Sequence, residues 1–221
     1  MTETGIYYPD ELTGIFLDNF LAKGWYRMGQ GIFTTNHIVQ NDKLYRVFWL
    51  RYNLSRLKIG RNCQKIMQIN QKFSCTIKPL QITAELETLY ELYKSSLTFT
   101  PASSVQNWLF DQQTNNVYDS FLVEVRDQCS LIAAGIFDNG LNSVAGIMNF
   151  FLPDYKKYSL GKYLMLLKIE YALAQGKKWY YPGYIVEGYP KFDYKLFVDK
   201  AAAEIFIPEH SGWCRYDEGF L

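Results

Sequence analysis

Apolar positions along the chain change period several times, and each change predicts an element. Residues 10–23 place Leu12, Ile15, Phe16 and Phe20 on one helical face, with Gly24 suited to the turn that ends it. WYRMGQGIFTT, from Trp25, reads as a strand or tight hairpin, with Gly29 and Gly31 permitting the turn. Residues 45–54 are β-rich with basic residues spaced through them. Residues 62–75 read weakly as a further strand or an extended link. Thr83 is a good N-cap for a helix over 84–94, and Ser103 and Ser104 open a short helix around Trp108 and Phe110. Three apolar strands follow at 120–126, 130–137 and 142–151, joined by RDQCS and by the hairpin chemistry of Asp138-Asn139-Gly140. Leu160, Tyr163, Leu164, Leu167, Tyr171 and Ala174 keep the helical period, and Gly176 ends that helix. WYYPGYIV then supplies a strand that Pro182 bends.

The C-terminal half therefore reads β-β-β-α-β. The predicted class is α/β (α+β): a mixed, mostly antiparallel sheet flanked by helices, with a smaller N-terminal α/β part. A boundary near 78 would divide the chain into a basic region, 1–78, and a larger domain, 79–221.

Charge is distributed unevenly although the net value is only +1. From Lys43 to Lys78 there are nine basic residues and no acid, and six lysines between Tyr155 and Lys178 face Glu170 alone. Such segments can form a phosphate-attracting face. Arg51, Arg56, Lys58, Arg61, Asn62 and Lys65 are its candidate RNA contacts. The four cysteines stand far apart with no C-x-x-C pair, which predicts reduced thiols, a cytoplasmic protein and no metal site. Neither a secretory leader nor a membrane-spanning run is legible, so no membrane partner is expected. Two histidines far apart, His37 and His210, argue against a Ser–His or Cys–His nucleophile.

Residues 179–195, WYYPGYIVEGYPKFDYK, mix rings, turn residues and charges in a way that neither a core strand nor a solvent loop needs. Trp179, Tyr181, Tyr184 and Tyr189 could wall a ligand site, since tyrosine packs on one side and hydrogen-bonds on the other. A helix beginning at YSLGKY would turn its unpaired amides to an anion. Ser159, Gly161, Lys162 and Tyr163 are the candidates there.

Several stretches together resemble the arginyl-tRNA–protein transferase family, which includes bacterial leucyl-transferring relatives. They are SLGKY at 159–163, IEYA at 169–172, Gly183-Tyr184, Glu187-Gly188, Pro190-Lys191 and Tyr194-Lys195. The N-terminal half agrees through YYP at 7–9, GWYRMGQGIF at 24–33 and Arg61-Asn62. The family's cysteine cluster of the P-x-C-x-x-C-x-x-C kind has no counterpart in TTNHIVQNDKLY. No metal or redox cofactor carries over.

The resemblance implies a GNAT-like core and transfer of an aminoacyl group, Arg or Leu type, from tRNA to the N-terminal α-amine of an acceptor protein. The ester donor is already activated, so alignment, deprotonation of the amine and oxyanion stabilisation suffice. Glu187, Tyr189 and Lys191 are the catalytic candidates. Ser159, Gly161, Lys162, Tyr163, Tyr181, Tyr184, Tyr194 and Lys195 are the substrate-binding ones. An acyl-CoA-dependent GNAT-type enzyme and a non-catalytic RNA- or protein-binding relative remain the alternatives.

Overall fold

The computed structural model describes residues 4–219 except 41, 99, 100, 112, 114, 211 and 218. In chain order the elements are β1 (Gly5–Tyr7), α1 (Gly14–Leu21), β2 (Tyr26–Met28), β3 (Gly31–Thr34), β4 (His37–Gln40), β5 (Lys43–Asn53), α2 (Arg61–Asn70), β6 (Ser74–Pro79), α3 (Ala84–Lys94), α4 (Val105–Phe110), β7 (Ser120–Asp127), β8 (Ser130–Asn139), β9 (Ser143–Phe151), α5 (Leu160–Ala174), β10 (Trp179–Val186), β11 (Ala203–Ile207) and β12 (Gly212–Arg215). Short 3₁₀ segments run over Pro153–Tyr158 and Pro190–Leu196.

The main sheet has the order β12-β11-β5-β10-β9-β8-β7-β6, with β4 paired to β5. Every pairing in it is antiparallel except β10 with β9. β1, β3 and β2 form a separate small sheet. The predicted meander, helix and return strand are all present. Thr83 caps α3 through the Leu86 amide at 3.2 Å, and Ser104 caps α4 through the Asn107 amide at 2.9 Å. Gly176, at φ 65, follows α5.

Two expectations change. Residues 61–70 are helix α2 rather than a strand or link. Cys63, Ile66, Met67 and Asn70 recur at helical spacing, with Cys63 and Asn70 buried. The sheet also crosses the expected boundary near 78. β5 lies between β11 and β10, and β6 pairs with β7, so both belong to the sheet of the C-terminal half.

The largest core is built on Leu164, Ile169 and Ala172 of α5 and on Phe48, Leu50 and Tyr52 of β5. A second core joins α1 and the small sheet to Trp49, Tyr181 and Phe206. A third seats α3 and α4 on β7, β8 and β9. Arg27 of β2 ties the small sheet to the large one. Its guanidinium, 1% exposed, donates to Asp138 Oδ1 at 2.7 Å, to Ser120 Oγ at 2.9 Å and to the carbonyls of Leu109 and Gly29.

Candidate active site

The site begins as an interruption of the sheet. β9 and β10 pair in parallel only over Ser143–Ala145 and Trp179–Tyr181. Beyond that both strands continue without pairing to each other, β9 to Phe151 and β10 to Val186. Each is also locally irregular. β9 shifts register against β8 where Ile136 faces Met148 and Phe137 faces Gly146. β10 shifts against β5 between Tyr180 and Gly183. Gly183 stands at φ 101, a conformation that favours glycine, just after Pro182. The two strands therefore diverge, and a cavity of about 530 Å³ opens between them.

Tyr26 closes the apex of the divergence. Its hydroxyl donates to the Gly146 carbonyl on β9 and lies 3.0 Å from the Tyr181 carbonyl on β10. Its ring stacks on Trp49 at 5.3 Å. Trp49 in turn meets Phe33 and Tyr184 edge-on at 5.4 and 5.3 Å, and Tyr184 packs on Phe192. Met165 of α5 and Trp108 of α4 line further walls. Besides the tyrosines, the polar groups include Asn149 on β9, Lys195 in the 3₁₀ segment, and exposed Asn107 and Asp111 around α4. Arg27 also reaches the lining, but its charge is spent on Asp138. The lining is thus mixed, aromatic rings interleaved with polar groups, and a concave site of this kind is the usual form of a small-molecule site.

Two lysines stand at this cavity or just behind it. Lys195 is 9% exposed, and its Nζ donates to the Tyr184 carbonyl at 2.7 Å. The rings of Phe192, Tyr184 and Tyr194 lie 4.7, 5.0 and 5.5 Å from it, and burial pushes its pKa down to about 7. Lys168 of α5 is fully buried. It donates to the carbonyls of Ile136 and Met148 at 2.7 and 2.9 Å and to Asn149 Oδ1 at 2.8 Å. Ile136 and Met148 face each other across the ladder beside the β8–β9 register shift, and the ammonium bridges their carbonyls there. Burial lowers its pKa to about 7 as well, against the attraction of Asp138. Asn149 reaches from Lys168 toward the Gly161 carbonyl, 3.4 Å away.

The sequence candidates divide around this geometry. Tyr184, Tyr194 and Lys195 line the cavity. Tyr181 does not: it is buried under Trp213 in the second core. Tyr163 is a core residue whose hydroxyl meets Cys75 Sγ at 3.2 Å on the far side of α5. Ser159 adopts a left-handed conformation at φ 54, and its side chain caps nothing. A Cβ at Gly161 would meet Phe151, Lys162 lies over the Phe197 ring at 5.2 Å, and the start of α5 is outside the cavity lining. The catalytic candidates also sit outside it. Glu187 and Lys191 are exposed, and Tyr189 packs on Tyr45 and on the outer side of Phe192.

The expected basic track is broken. Arg51 and Arg56 both pair with Glu204, at 2.7 and 2.9 Å, and Arg51 lies between Trp179 and Trp213 at 3.6 and 4.3 Å. Those arginines brace β5 against β11. Lys58, Arg61, Asn62 and Lys65 remain exposed, clustered at the start of α2. Among the described residues no three His, Cys, Asp or Glu side chains converge on a metal position, and no helix is long and apolar enough to cross a membrane.

Tyr26, Arg27, Trp49, Asn149 and Lys168 were not legible as site residues. GWYRMGQGIF, which carries the first two, was one of the N-terminal segments with a sequence signal.

Comparison with known proteins adds the lineage. Similar solved structures include L-PGS from Bacillus licheniformis, at 9% identity and TM-score 0.48 over 63% of this chain and 46% of that one, a likeness on which nothing rests. Two relatives are each named aspartate/glutamate leucyltransferase. The one from Leptospira interrogans is 26% identical over 96% of this chain and 82% of its own length. The one from a Shewanella species, strain MR-7, is 37% identical over 86% of this chain and 79% of its own. The family model for the arginine-tRNA-protein transferase C terminus matches residues 85–201, more than half of the chain and most of the cavity-lining segments. The chain belongs to the arginine-tRNA–protein transferase family.

Proposed function

We propose that this protein moves a leucyl-type aminoacyl group from the 3′ end of a tRNA to the α-amine of a protein that begins with Asp or Glu. The observation that supports the apolar donor is the ring-rich part of the cavity wall. Tyr26, Phe33, Trp49, Met165, Tyr184 and Phe192 surround it. Buried Asp138 close by is held by Arg27, and Asp111 is an exposed carboxylate in the lining. A leucyl side chain gains by leaving water for such walls, at roughly 25 cal/mol per Å² buried. An arginyl guanidinium would be desolvated there without a buried carboxylate to receive it. The relatives' names agree with this donor and supply the acceptor class.

The rings also offer stacking surfaces to the terminal adenosine, worth about 1–3 kcal/mol per base. Lys58, Arg61 and Lys65 at the start of α2 supply phosphate contacts, a shorter track than the sequence indicated.

The direct test incubates the pure protein with leucyl-, arginyl- and phenylalanyl-tRNA and peptides beginning with Asp, Glu or Ala. Leucine transfer to the acidic peptides is the expected result. Preferential arginine transfer would overturn the donor assignment, and equal use of the Ala peptide would overturn the acceptor assignment.

A further inference from the structure

We propose that Lys195 is the base that takes the proton from the attacking α-ammonium. This rests on the aminoacyl-transfer reading above and assigns that reaction a residue at the cavity itself. Lys195 lines the cavity and its Nζ donates to the Tyr184 carbonyl, and no carboxylate pairs with it among the described residues. Gly183, opposite, has no side chain; a Cβ there would stand 3.7 Å from Nζ. The amine is thus fixed in direction by its hydrogen bond, on a residue that belongs to the cavity wall.

The other ionisable groups facing the cavity are poor alternatives. Tyr26 and Tyr180 are buried, with pKa values raised by loss of water, and burial raises Tyr184 and Tyr194 in the same direction. Arg27 is locked to Asp138. Tyr8 and Asp111 are exposed at the rim. Among the groups lining the cavity, Lys195 is the one whose surroundings bring a proton transfer into the neutral range, which matches an α-ammonium of ordinary pKa about 8; Lys168, lowered as far, is outside the lining and donates to three acceptors.

The step balances without a co-reactant. The α-ammonium gives one proton to the neutral Lys195 amine. The freed lone pair attacks the ester carbonyl carbon, forming the C–N bond. As the tetrahedral intermediate collapses, the C–O bond to the ribose breaks. Lys195 returns its proton to the leaving ribose oxygen, and the second amine proton goes to water. The enzyme ends as it began.

The experiment measures single-turnover transfer from pre-charged leucyl-tRNA to an N-terminal Asp peptide, from pH 5.5 to 9, for the wild type, Lys195→Met and Lys195→Arg. Arginine keeps the charge and the donor but cannot release a proton. The expected result is a loss of about 10²–10⁴-fold in both variants, with tRNA binding retained. The wild-type rise centred near pH 7 should vanish, leaving only the rise of the peptide's own amine near pH 8. Full activity in Lys195→Arg, or an unchanged pH profile in Lys195→Met, would overturn the assignment. If Lys195→Met does not fold, Lys195→Arg decides alone. A wild-type protein that transfers from no aminoacyl-tRNA would instead sink the transferase reading.

Discussion

Lys168 carries the most quantitative prediction, because its burial makes stability depend on pH in a calculable way. The perturbation is Lys168→Met, which keeps the length of the side chain and removes its donors. In the folded protein the lysine titrates near 7, against an ordinary value of 10.5. Between those values the unfolded chain holds a proton that the folded chain does not. Stability therefore rises with pH across that window, and the cost of burying the group is complete only below it. At 1.36 kcal/mol per unit, that cost is about 5 kcal/mol at pH 6 and about 2 kcal/mol at pH 9. Methionine bears neither. It leaves the Ile136 and Met148 carbonyls at the bulge without their donor, at about 1–3 kcal/mol each, whatever the pH. The two effects roughly offset at pH 6. At pH 9 the variant should stand about 3 kcal/mol worse against wild type than it does at pH 6. Urea unfolding of both proteins at the two pH values measures this, and Lys195, present in both, cancels. An equal difference at pH 6 and pH 9 would refute the argument. It would mean that the three acceptors keep Lys168 charged in the fold.

Other consequences follow from the same geometry. Asp138→Asn breaks a buried pair and leaves Arg27 charged among neutral groups, so denaturant unfolding should show a loss of about 3–5 kcal/mol. Gly183→Val forces a branched side chain into a left-handed conformation beside Lys195, and transfer assays should show activity falling well before the fold is lost. Glu187→Gln should transfer leucine within about threefold of wild type, because an exposed group outside the cavity supplies none of the ~10²–10⁴ of acid–base catalysis. Replacing both Arg61 and Lys65 by Gln should lower the salt slope of tRNA binding by about 2, whereas Arg51→Gln should act mainly on stability through Glu204.

The local elements were legible because their causes are local. Apolar runs and turn residues mark β7, β8 and β9; the 3.6 period marks α5; Thr83 and Ser104 announce the helices they cap. The motif order from Ser159 to Lys195 was enough to indicate the family. Helix α2 was missed because only Cys63, Ile66 and Met67 carry its apolar face, too sparse a signal against the polar residues between them. The site was less legible for a different reason. Its walls come from β2, β5, α4, β9, α5, β10 and the segment after it, brought together by a parallel pairing only three residues long and then parted by two bulges. No spacing within one segment encodes where a sheet will open. Charge was equally deceptive. In sequence Lys168 reads as one of several solvated lysines and Arg51 as a phosphate contact. Only the fold buries the first behind a bulge and places Glu204 against the second, because an acid distant in sequence is adjacent across β11 and β5.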